Sequence, residues 1–387
     1  MKNIFAVKIK PSPTVVINSL ALGKIQKGER LLRLNVGEPK IEIPYTVKQA
    51  IIKAVKAGKT LYPPVAGLPE LRTQASEWIN KNYHASYEVE NTLVTNGGKL
   101  GIFLTLQALL KKDEEVIVAA PFWVSYPAQT KLFNGKLRVI QTKPEQGWKI
   151  SAQDVIKIAG KKARILILNN ANNPTGAVYT RKELKKILLA AKKKNLTVIS
   201  DEVYSSLVYG RKKFVSAGSF RQFQDRVIVV QSCSKNFALP GLRVGFVFAP
   251  KEMIKVLTSL LGQSTSGADT LAQWAALAAL KNSGKITSRI KKQMENRRKV
   301  FFQEFQRNFG VKLTLPDSSI YAFVPISAFG AKEKSSMKFC REVLQKTNVV
   351  MVPGTAFGRE GYVRCSFGEK TEVIREALGQ LADYLQK

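Results

Sequence analysis

The chain has 387 residues, of which 45% are hydrophobic and 23% charged, an ordinary composition for a globular protein of about two domains. Lysine and arginine number 62 against 28 aspartate and glutamate residues, a net charge of +34, so ion-pair networks cannot account for most of the basic residues. A single histidine, His84, excludes histidine-based catalytic triads and multi-histidine metal sites. Three widely spaced cysteines indicate reduced thiols in a cytoplasmic protein, and we expect neither a signal peptide nor a membrane span.

The first notable segment is a glycine-rich turn, Val94 to Lys99, that leads into a helical pattern. A backbone turn of this kind at a helix N-terminus presents amide groups that suit an anion. Apolar segments then alternate with amphipathic ones, the pattern of a mostly parallel sheet covered by helices on both faces. The predicted strands are Glu115 to Ala119, Arg164 to Leu168, Leu196 to Ser200, Arg226 to Val230 and Gly245 to Phe248.

The helical pattern is clearest between the second and third of these strands. Thr180 and Glu183 have the spacing of a capping box, and apolar residues recur after them at helical intervals up to Ala191. A long basic helical stretch follows from about Gly284 to Arg307, where the alternation of strands and helices changes. We therefore predict an N-terminal arm (1–44) that joins the C-terminal part (281–387) in a smaller domain, with a large domain at 45–280.

Polar and aromatic residues follow the ends of the predicted strands. Trp123 follows the first predicted strand, and an amide-rich turn that contains Asn173 follows the second. Asp201 and Tyr204 follow the third strand. The fourth runs into Ser232-Cys233-Ser234-Lys235, and Arg243 lies eight residues further on. Because ligands of open parallel sheets bind beyond the carboxyl ends of the strands, we expect these residues to meet in one site.

Hydroxyls and an arginine can hold a phosphate group while a nearby lysine reacts with a carbonyl. This combination is typical of Schiff-base enzymes that use pyridoxal phosphate. Each feature also has an ordinary structural interpretation, since Trp123 suits a core, Asn173 a turn and Asp201 a helix cap. Five such features on successive connections of one sheet favour the functional interpretation. The scattered lysines are typical of solvated helix faces and turns, although a nucleic-acid-binding role is an alternative of another class.

Motifs across nearly the whole chain resemble the class I, fold type I aminotransferases that depend on pyridoxal phosphate. The matching segments are Lys10 to Thr14, Asn35 to Pro39, Tyr62 to Arg72, Pro121 to Pro127, Val352 to Thr355 and Val363 to Ser366. Gln263 to Thr265 and Asp269 to Trp274 resemble the prokaryotic aspartate aminotransferase branch. The resemblance implies a large domain with a mostly parallel seven-stranded sheet flanked by helices, a smaller α/β domain and a homodimer.

The resemblance also implies which residues hold the cofactor. Lys235 would carry it as a Schiff base and move the substrate proton, Asp201 would face the ring nitrogen, and Tyr204 would donate to the ring's phenolic oxygen. Trp123 would stack on the ring and Asn173 would join Tyr204. The phosphate would be held by Ser232, Arg243, the amides of Gly98 and Lys99, and Tyr62 from the neighbouring protomer.

Substrate binding is implied in the same way. Arg364 would take the α-carboxylate in a two-pronged pair, assisted by the Gly37 amide, Asn173 and the Trp123 face. Lys99 would bind the distal carboxylate of a dicarboxylic substrate, although it also suits a plain exposed lysine. The expected reaction moves the amino group of aspartate to 2-oxoglutarate, without a metal, a membrane or a specific nucleic acid.

Two departures from the family pattern leave alternatives open. The branch typically has Pro-Ser-Gly-Ala-Phe-Tyr where this chain has Pro316-Asp317-Ser318-Ser319-Ile320-Tyr321, and the acidic residue usual after Gly-Glu-Pro is Lys40. The altered stretch from Pro316 to Tyr321 keeps open an aminotransferase for aromatic amino acids, prephenate or other amino acids. A cysteine-conjugate β-lyase is a second alternative, because Arg364 and Lys235 suit both chemistries. A regulator that has kept the fold would need a helix-turn-helix domain ahead of Lys10, for which we expect no room.

Overall fold

The computed structural model describes residues 11–386, so Lys10 of the first family motif lies outside the described residues. The strands are β1 (Leu32–Arg33), β2 (Thr92–Thr95), β3 (Glu115–Ala120), β4 (Lys136–Gln141), β5 (Ala163–Asn169), β6 (Thr197–Asp201), β7 (Val227–Ser232), β8 (Gly245–Phe248), β9 (Tyr321–Pro325), β10 (Val349–Val350), β11 (Val352–Pro353) and β12 (Tyr362–Ser366). The helices are α1 (Pro13–Gln26), α2 (Tyr45–Lys56), α3 (Pro69–Tyr83), α4 (Gly98–Leu109), α5 (Ser125–Leu132), α6 (Ala152–Ile158), α7 (Arg181–Lys193), α8 (Cys233–Asn236), α9 (Lys251–Thr265), α10 (Thr270–Lys281), α11 (Ser283–Phe309), α12 (Ser336–Thr347) and α13 (Thr371–Leu385).

A seven-stranded sheet with the order β2-β8-β7-β6-β5-β3-β4 forms the centre of the fold. Strand β8 runs opposite to the other six strands of this sheet, so the predicted mostly parallel sheet is confirmed. Strands β5, β6 and β7 lie side by side in parallel, and their carboxyl ends therefore meet at one edge. In this register Asn169 lies opposite Asp201.

The predicted strands agree with the observed ones to within two residues at either end. Val227 to Ser232 is buried at every position, as expected for a strand covered on both faces. The predicted capping box is also confirmed, because Thr180 accepts from the Glu183 amide and the Glu183 carboxylate accepts from Thr180 in return. The long basic helix is α11, which begins at Ser283 and ends at Phe309.

Two smaller sheets combine residues from both ends of the chain. Strand β1 pairs in parallel with β10, while β11, β12 and β9 form an antiparallel sheet. Helix α1 packs against β11 and α12, so the N-terminal helix lies on these smaller sheets. This arrangement brings Arg364 of β12 next to the segment that follows β1. The domain division at residues 44 and 280 stays a prediction.

Within residues 11–386, we find no helix that combines the length and the apolar character needed to cross a membrane.

Candidate active site

One cavity of about 420 Å³ lies at the carboxyl ends of β5, β6 and β7. Eleven of the twelve residues that the sequence proposed for the site line it: Gly37, Gly98, Lys99, Trp123, Asn173, Asp201, Tyr204, Ser232, Lys235, Arg243 and Arg364. The twelfth, Tyr62, lies outside the cavity with 90% of its surface exposed. Tyr62 instead borders a separate surface pocket, which Thr265 to Thr270 help to line.

Lys235 enters the cavity from α8, which begins directly after β7. The Ser232 hydroxyl caps this short helix by accepting from the Ser234 amide at 3.1 Å. The Lys235 ammonium donates to the carbonyl of Gly37. Burial is the main cause that lowers the pKa of Lys235; Tyr321 and Glu38 oppose this effect, and the positive charges of Arg364 and Arg243 add to it. The amine therefore loses its proton more readily than an exposed lysine, as a nucleophilic amine requires.

Asp201 ends β6 with only 4% of its surface exposed. Its Oδ2 accepts from the Tyr126 hydroxyl at 2.6 Å, whereas Oδ1 is buried and finds no partner among the described residues. Burial raises the pKa of Asp201 to about 6, and the hydrogen bond from Tyr126 opposes this rise. A buried acceptor left free in this way is suited to a donor that enters the cavity.

Glycines and an arginine form a cradle at one end of the cavity. Helix α4 begins at Gly98 and directs its first amides there, which suits an anion. A Cβ atom on Gly97 would lie 2.4 Å from Nη2 of Arg243, and one on Gly245 would lie 2.4 Å from the Gly98 nitrogen. The φ of +80° at Gly97 and the backbone contact at Gly245 favour glycine at both positions. Ser232 completes the cradle with a hydroxyl from the end of β7.

The Arg364 side chain is 93% buried and is held in one orientation by hydrogen bonds. Its Nη1 donates to Asn173 Oδ1 at 3.1 Å and its Nη2 donates to the Asn35 carbonyl at 2.9 Å. The guanidinium also lies 4.1 Å from the ring centroid of Tyr321, a cation–π contact. Its buried Nε has no partner among the described residues. The group is thus oriented in advance and keeps a donor free for an anionic ligand.

Two aromatic hydroxyls meet in the cavity, those of Tyr204 and Tyr321. Tyr204 donates to the Tyr321 hydroxyl at 3.1 Å, and both rings are buried. Burial raises the pKa of Tyr204, so this residue stays a neutral hydrogen-bond donor. A Cβ atom on Gly37 would lie 2.7 Å from the Tyr321 hydroxyl, which accounts for glycine at that position.

Trp123 and Lys99 form another wall of the cavity. The Trp123 ring meets Tyr126 edge to face at 5.4 Å, which fixes its plane. The Lys99 ammonium lies 5.1 Å from the Trp123 ring centroid. Desolvation lowers the pKa of Lys99, and the nearby charge of Arg243 lowers it further. Lys99 therefore adds a cation to the cavity from α4, whereas Arg364 comes from β12.

Sequence reasoning missed several residues in or next to the cavity. Tyr126 lay inside a quoted motif, and it contacts the cavity residue Asp201 without lining the cavity itself. Tyr321 lay in the divergent stretch from Pro316 and is the only residue of that stretch to line the cavity. Arg33 also lines it, and no ion pair within residues 11–386 involves this arginine. No local pattern marked Arg33, because its place depends on the pairing of β1 with β10.

Comparisons with known proteins show what the whole chain is similar to. Residues 29–381 match the family described as aminotransferase class I and II. The chain is 35% identical over 382 residues to a probable aspartate/prephenate aminotransferase of Aquifex aeolicus, covering 98% of this chain and 97% of the relative. It superposes with a TM-score of 0.91 and 35% identity on an aspartate aminotransferase from Thermus thermophilus with maleate, covering 97% of both chains. An aromatic aminotransferase from Pyrococcus horikoshii gives a TM-score of 0.87 at 32% identity, with 95% and 98% covered.

Proposed function

The chain belongs to the class I and II aminotransferases, which depend on pyridoxal phosphate, and we propose that it transfers the amino group of aspartate to 2-oxoglutarate. The observation that carries this proposal is the sharing of one cavity by Lys235, a pre-oriented Arg364 and the further cations Lys99 and Arg33. A substrate with one carboxylate needs one such cation. A dicarboxylate uses a second, and maleate in the Thermus thermophilus structure is a dicarboxylate.

The cavity residues fit pyridoxal phosphate. The cradle of Gly98, Ser232 and Arg243 suits a phosphate group, because it combines helix amides, a hydroxyl and a guanidinium. The unpartnered Oδ1 of Asp201 suits a protonated ring nitrogen, and the Trp123 face suits the ring. When bound, this cofactor supplies an electron sink that stabilises negative charge at the substrate's Cα.

The protein's own residues would then divide the work. The Lys235 amine, with its lowered pKa, would attach the cofactor and afterwards carry the proton that leaves the substrate's Cα. The Asp201 carboxylate would keep the ring nitrogen protonated, while the hydroxyl of Tyr204 and the amide of Asn173 would donate to the ring's phenolic oxygen. Arg364 would hold the α-carboxylate so that the Cα proton faces Lys235.

Lys99 and Arg33 would bind the distal carboxylate of the substrate. They reach the cavity from α4 and β1, while Arg364 comes from β12. Cations on separate elements can hold the two ends of one dicarboxylate and fix its orientation. The carbon chains of aspartate and 2-oxoglutarate differ in length by one methylene, so a flexible lysine suits both lengths.

Prephenate is a second candidate amino acceptor, because relatives from Aquifex aeolicus and Thermus thermophilus carry the name aspartate/prephenate aminotransferase. Prephenate is also a dicarboxylate, so the same cations would serve. Measuring kcat/KM for prephenate and for 2-oxoglutarate with one amino donor separates the two acceptors. A preference for prephenate would make 2-oxoglutarate the secondary substrate.

We further propose a homodimer in which Tyr62 reaches the partner's phosphate cradle. Leu61 and Tyr62 are 81% and 90% exposed, and exposed large apolar residues of this kind are typical of interfaces. Sedimentation of the wild type and of Tyr62→Phe, together with their affinities for the cofactor, tests this arrangement. A monomer with full activity would contradict it. The cytoplasmic location, drawn from the cysteines, stays a prediction.

The decisive experiment is an absorbance scan of the purified protein loaded with pyridoxal phosphate. Aspartate should shift the visible band to shorter wavelength, and 2-oxoglutarate should restore it. Lys235→Ala should remove both changes and abolish transamination while leaving the far-ultraviolet circular dichroism unchanged. A band that responds to phenylalanine and ignores aspartate would favour an aromatic aminotransferase. Release of ammonia and pyruvate from cysteine conjugates, without transamination, would favour a β-lyase.

A further inference from the structure

Helix α7 has an exposed face that consists almost entirely of cations. Seven of its positions are exposed: Arg181, Lys182, Lys185, Lys186, Leu189, Lys192 and Lys193. Six of these seven are basic and none is acidic. The long helix α11, which is also basic, differs from α7, because its exposed positions include serine, asparagine and glutamine residues as well as cations. The face of α7 therefore differs from a surface that merely shares the overall positive charge.

No acidic side chain on α7 is available to balance these lysines. Glu183 is the only acid of the helix, and its carboxylate contacts the Lys149 ammonium at 2.6 Å and the Thr180 amide at 2.7 Å. Within residues 11–386 no ion pair involves any of the five exposed lysines. Arg181 is already engaged, since it donates to Ser219 Oγ at 3.2 Å and lies 4.6 Å from the Phe220 ring centroid.

The cationic surface continues beyond the helix. Helix α6 packs against α7, and its exposed Lys157 is followed by Lys161 and Lys162 in the next turn. The one acid of α6, Asp154, accepts from Ser151 at the helix N-terminus. We call the five exposed lysines of α7 together with Lys157, Lys161 and Lys162 the α6–α7 face.

Helix stability does not explain this pattern. Lys182 lies three and four residues before Lys185 and Lys186, the spacings at which like charges repel on a helix surface. Lys182 in the first turn also opposes the helix dipole, which favours negative charge at that end, whereas Lys192 and Lys193 in the last turn complement it. The capping box and the buried apolar side of α7 stabilise the helix in spite of these lysines. Helix stability therefore does not account for Lys182, Lys185 and Lys186.

We propose that the α6–α7 face binds the phosphate backbone of double-helical nucleic acid without reading its sequence. The lysines from Lys182 to Lys193 form a row about 16 Å long, and a duplex offers an evenly spaced line of phosphates over that length. The face has no exposed aromatic side chain on which unpaired bases could stack, so a duplex fits it better than a single strand. Phosphate contacts alone carry no sequence information.

Two other anionic partners fit the face less well. A membrane-surface helix must insert its apolar side, but Leu184, Ile187 and Leu188 of α7 are buried in the core. A protein partner would need an apolar or aromatic centre for its interface, and Leu189 is the only exposed apolar residue of α7. A uniform polyphosphate needs neither feature.

The test measures binding of a short blunt-ended DNA duplex to the full-length enzyme as salt rises from about 50 to about 200 mM. One variant replaces Lys182, Lys185, Lys186, Lys192 and Lys193 by glutamine. The control replaces five exposed lysines elsewhere, Lys292, Lys299, Lys332, Lys334 and Lys346, so that both variants have the same net charge. Unchanged aspartate transamination in both establishes that they are folded.

We expect the α7 variant to bind the duplex about tenfold or more weakly at physiological salt, with a log–log salt slope shallower by about four. The control should change the affinity about twofold at most, and scrambling the duplex sequence should have no effect. Equal losses in the two variants would show that net charge alone attracts the duplex and would overturn the proposal. So would an absence of wild-type binding at about 150 mM salt, or tighter binding to phosphatidylserine vesicles with the same dependence on α7.

Discussion

The Tyr126 hydroxyl donates to Oδ2 of Asp201 at 2.6 Å, although 75 residues separate the two in the chain. The same contact leaves Oδ1 of this buried carboxylate without a partner among the described residues. The Asp201 carboxylate therefore has one oxygen, Oδ2, that is held by Tyr126 and one, Oδ1, that can accept from a further donor. Because the bond from Tyr126 stabilises the charged carboxylate, it also opposes the rise in pKa that burial causes.

Tyr126→Phe should shift the acid limb of the pH profile of kcat/KM to higher pH. The hydrogen bond lowers the pKa of Asp201, so its loss raises that pKa, and the carboxylate becomes protonated at a higher pH than in the wild type. A shift of roughly one pH unit corresponds to about 1.4 kcal/mol, the order of one hydrogen bond to a charged group. Tyr384→Phe removes a comparable bond to Glu342 at the surface and is the control. Superimposable profiles would refute the role of Tyr126.

Glu202→Gln should change how stability depends on pH. Glu202 is fully buried, and burial raises its pKa to about 7 from an ordinary value of 4.5. Between these values the folded protein binds a proton that the unfolded chain releases, so this residue makes the fold less stable as pH rises through the window. Relative to the wild type, the variant should gain roughly 3 kcal/mol between about pH 4.5 and 7.

Urea unfolding of the cofactor-saturated wild type and Glu202→Gln at several pH values measures this difference. Glu252→Gln is the control, because Glu252 is exposed and pairs with Lys255 on the surface. A difference between variant and wild type that does not change with pH would indicate that Glu202 stays charged in the folded protein.

Arg364→Lys should lower kcat/KM for aspartate by about tenfold to a hundredfold. Lysine cannot replace the planar fork that donates to Asn173, to the Asn35 carbonyl and to a bound carboxylate. Loss of one hydrogen bond to a charged group costs about 1.5–3 kcal/mol, which gives that range. Steady-state kinetics check it, with Arg30→Lys, a change at an exposed pair with Glu376, as the control. An effect no larger than that of the control would rule out Arg364 as the α-carboxylate site.

Lys99→Gln and Arg33→Gln should discriminate between substrates by their charge. Each should reduce kcat/KM for aspartate about tenfold, as expected for the loss of one charged contact, and leave that for phenylalanine nearly unchanged. The ratio of the two specificity constants is the measurement, and Lys334→Gln is the control. If kcat/KM falls by the same factor for aspartate and for phenylalanine, the residue acts on the cofactor or the fold and not on the distal carboxylate.

Much of the fold and of the site follows from local sequence. The apolar strands, the capping box at Thr180 and the glycine turn before α4 are determined within a few residues of one another. Lys235 and Ser232 are likewise close in sequence, and the carboxyl end of a parallel strand directs both to the ligand edge of the sheet. The amino-acid sequence by itself therefore determined the fold class, and eleven of the twelve site residues proposed from it line the cavity.

Only the tertiary structure decided how these residues are tuned. The contact of Arg364 with Asn173 spans 191 residues, and Arg33 reaches the cavity because β1 pairs with a strand near the other end of the chain. The free Oδ1 of Asp201 and the unbalanced lysines of α7 depend on which neighbours packing supplies or withholds. Hydrogen-bond partners, burial and pKa values arise from distances between distant segments, and periodicity along the chain carries no information about those distances.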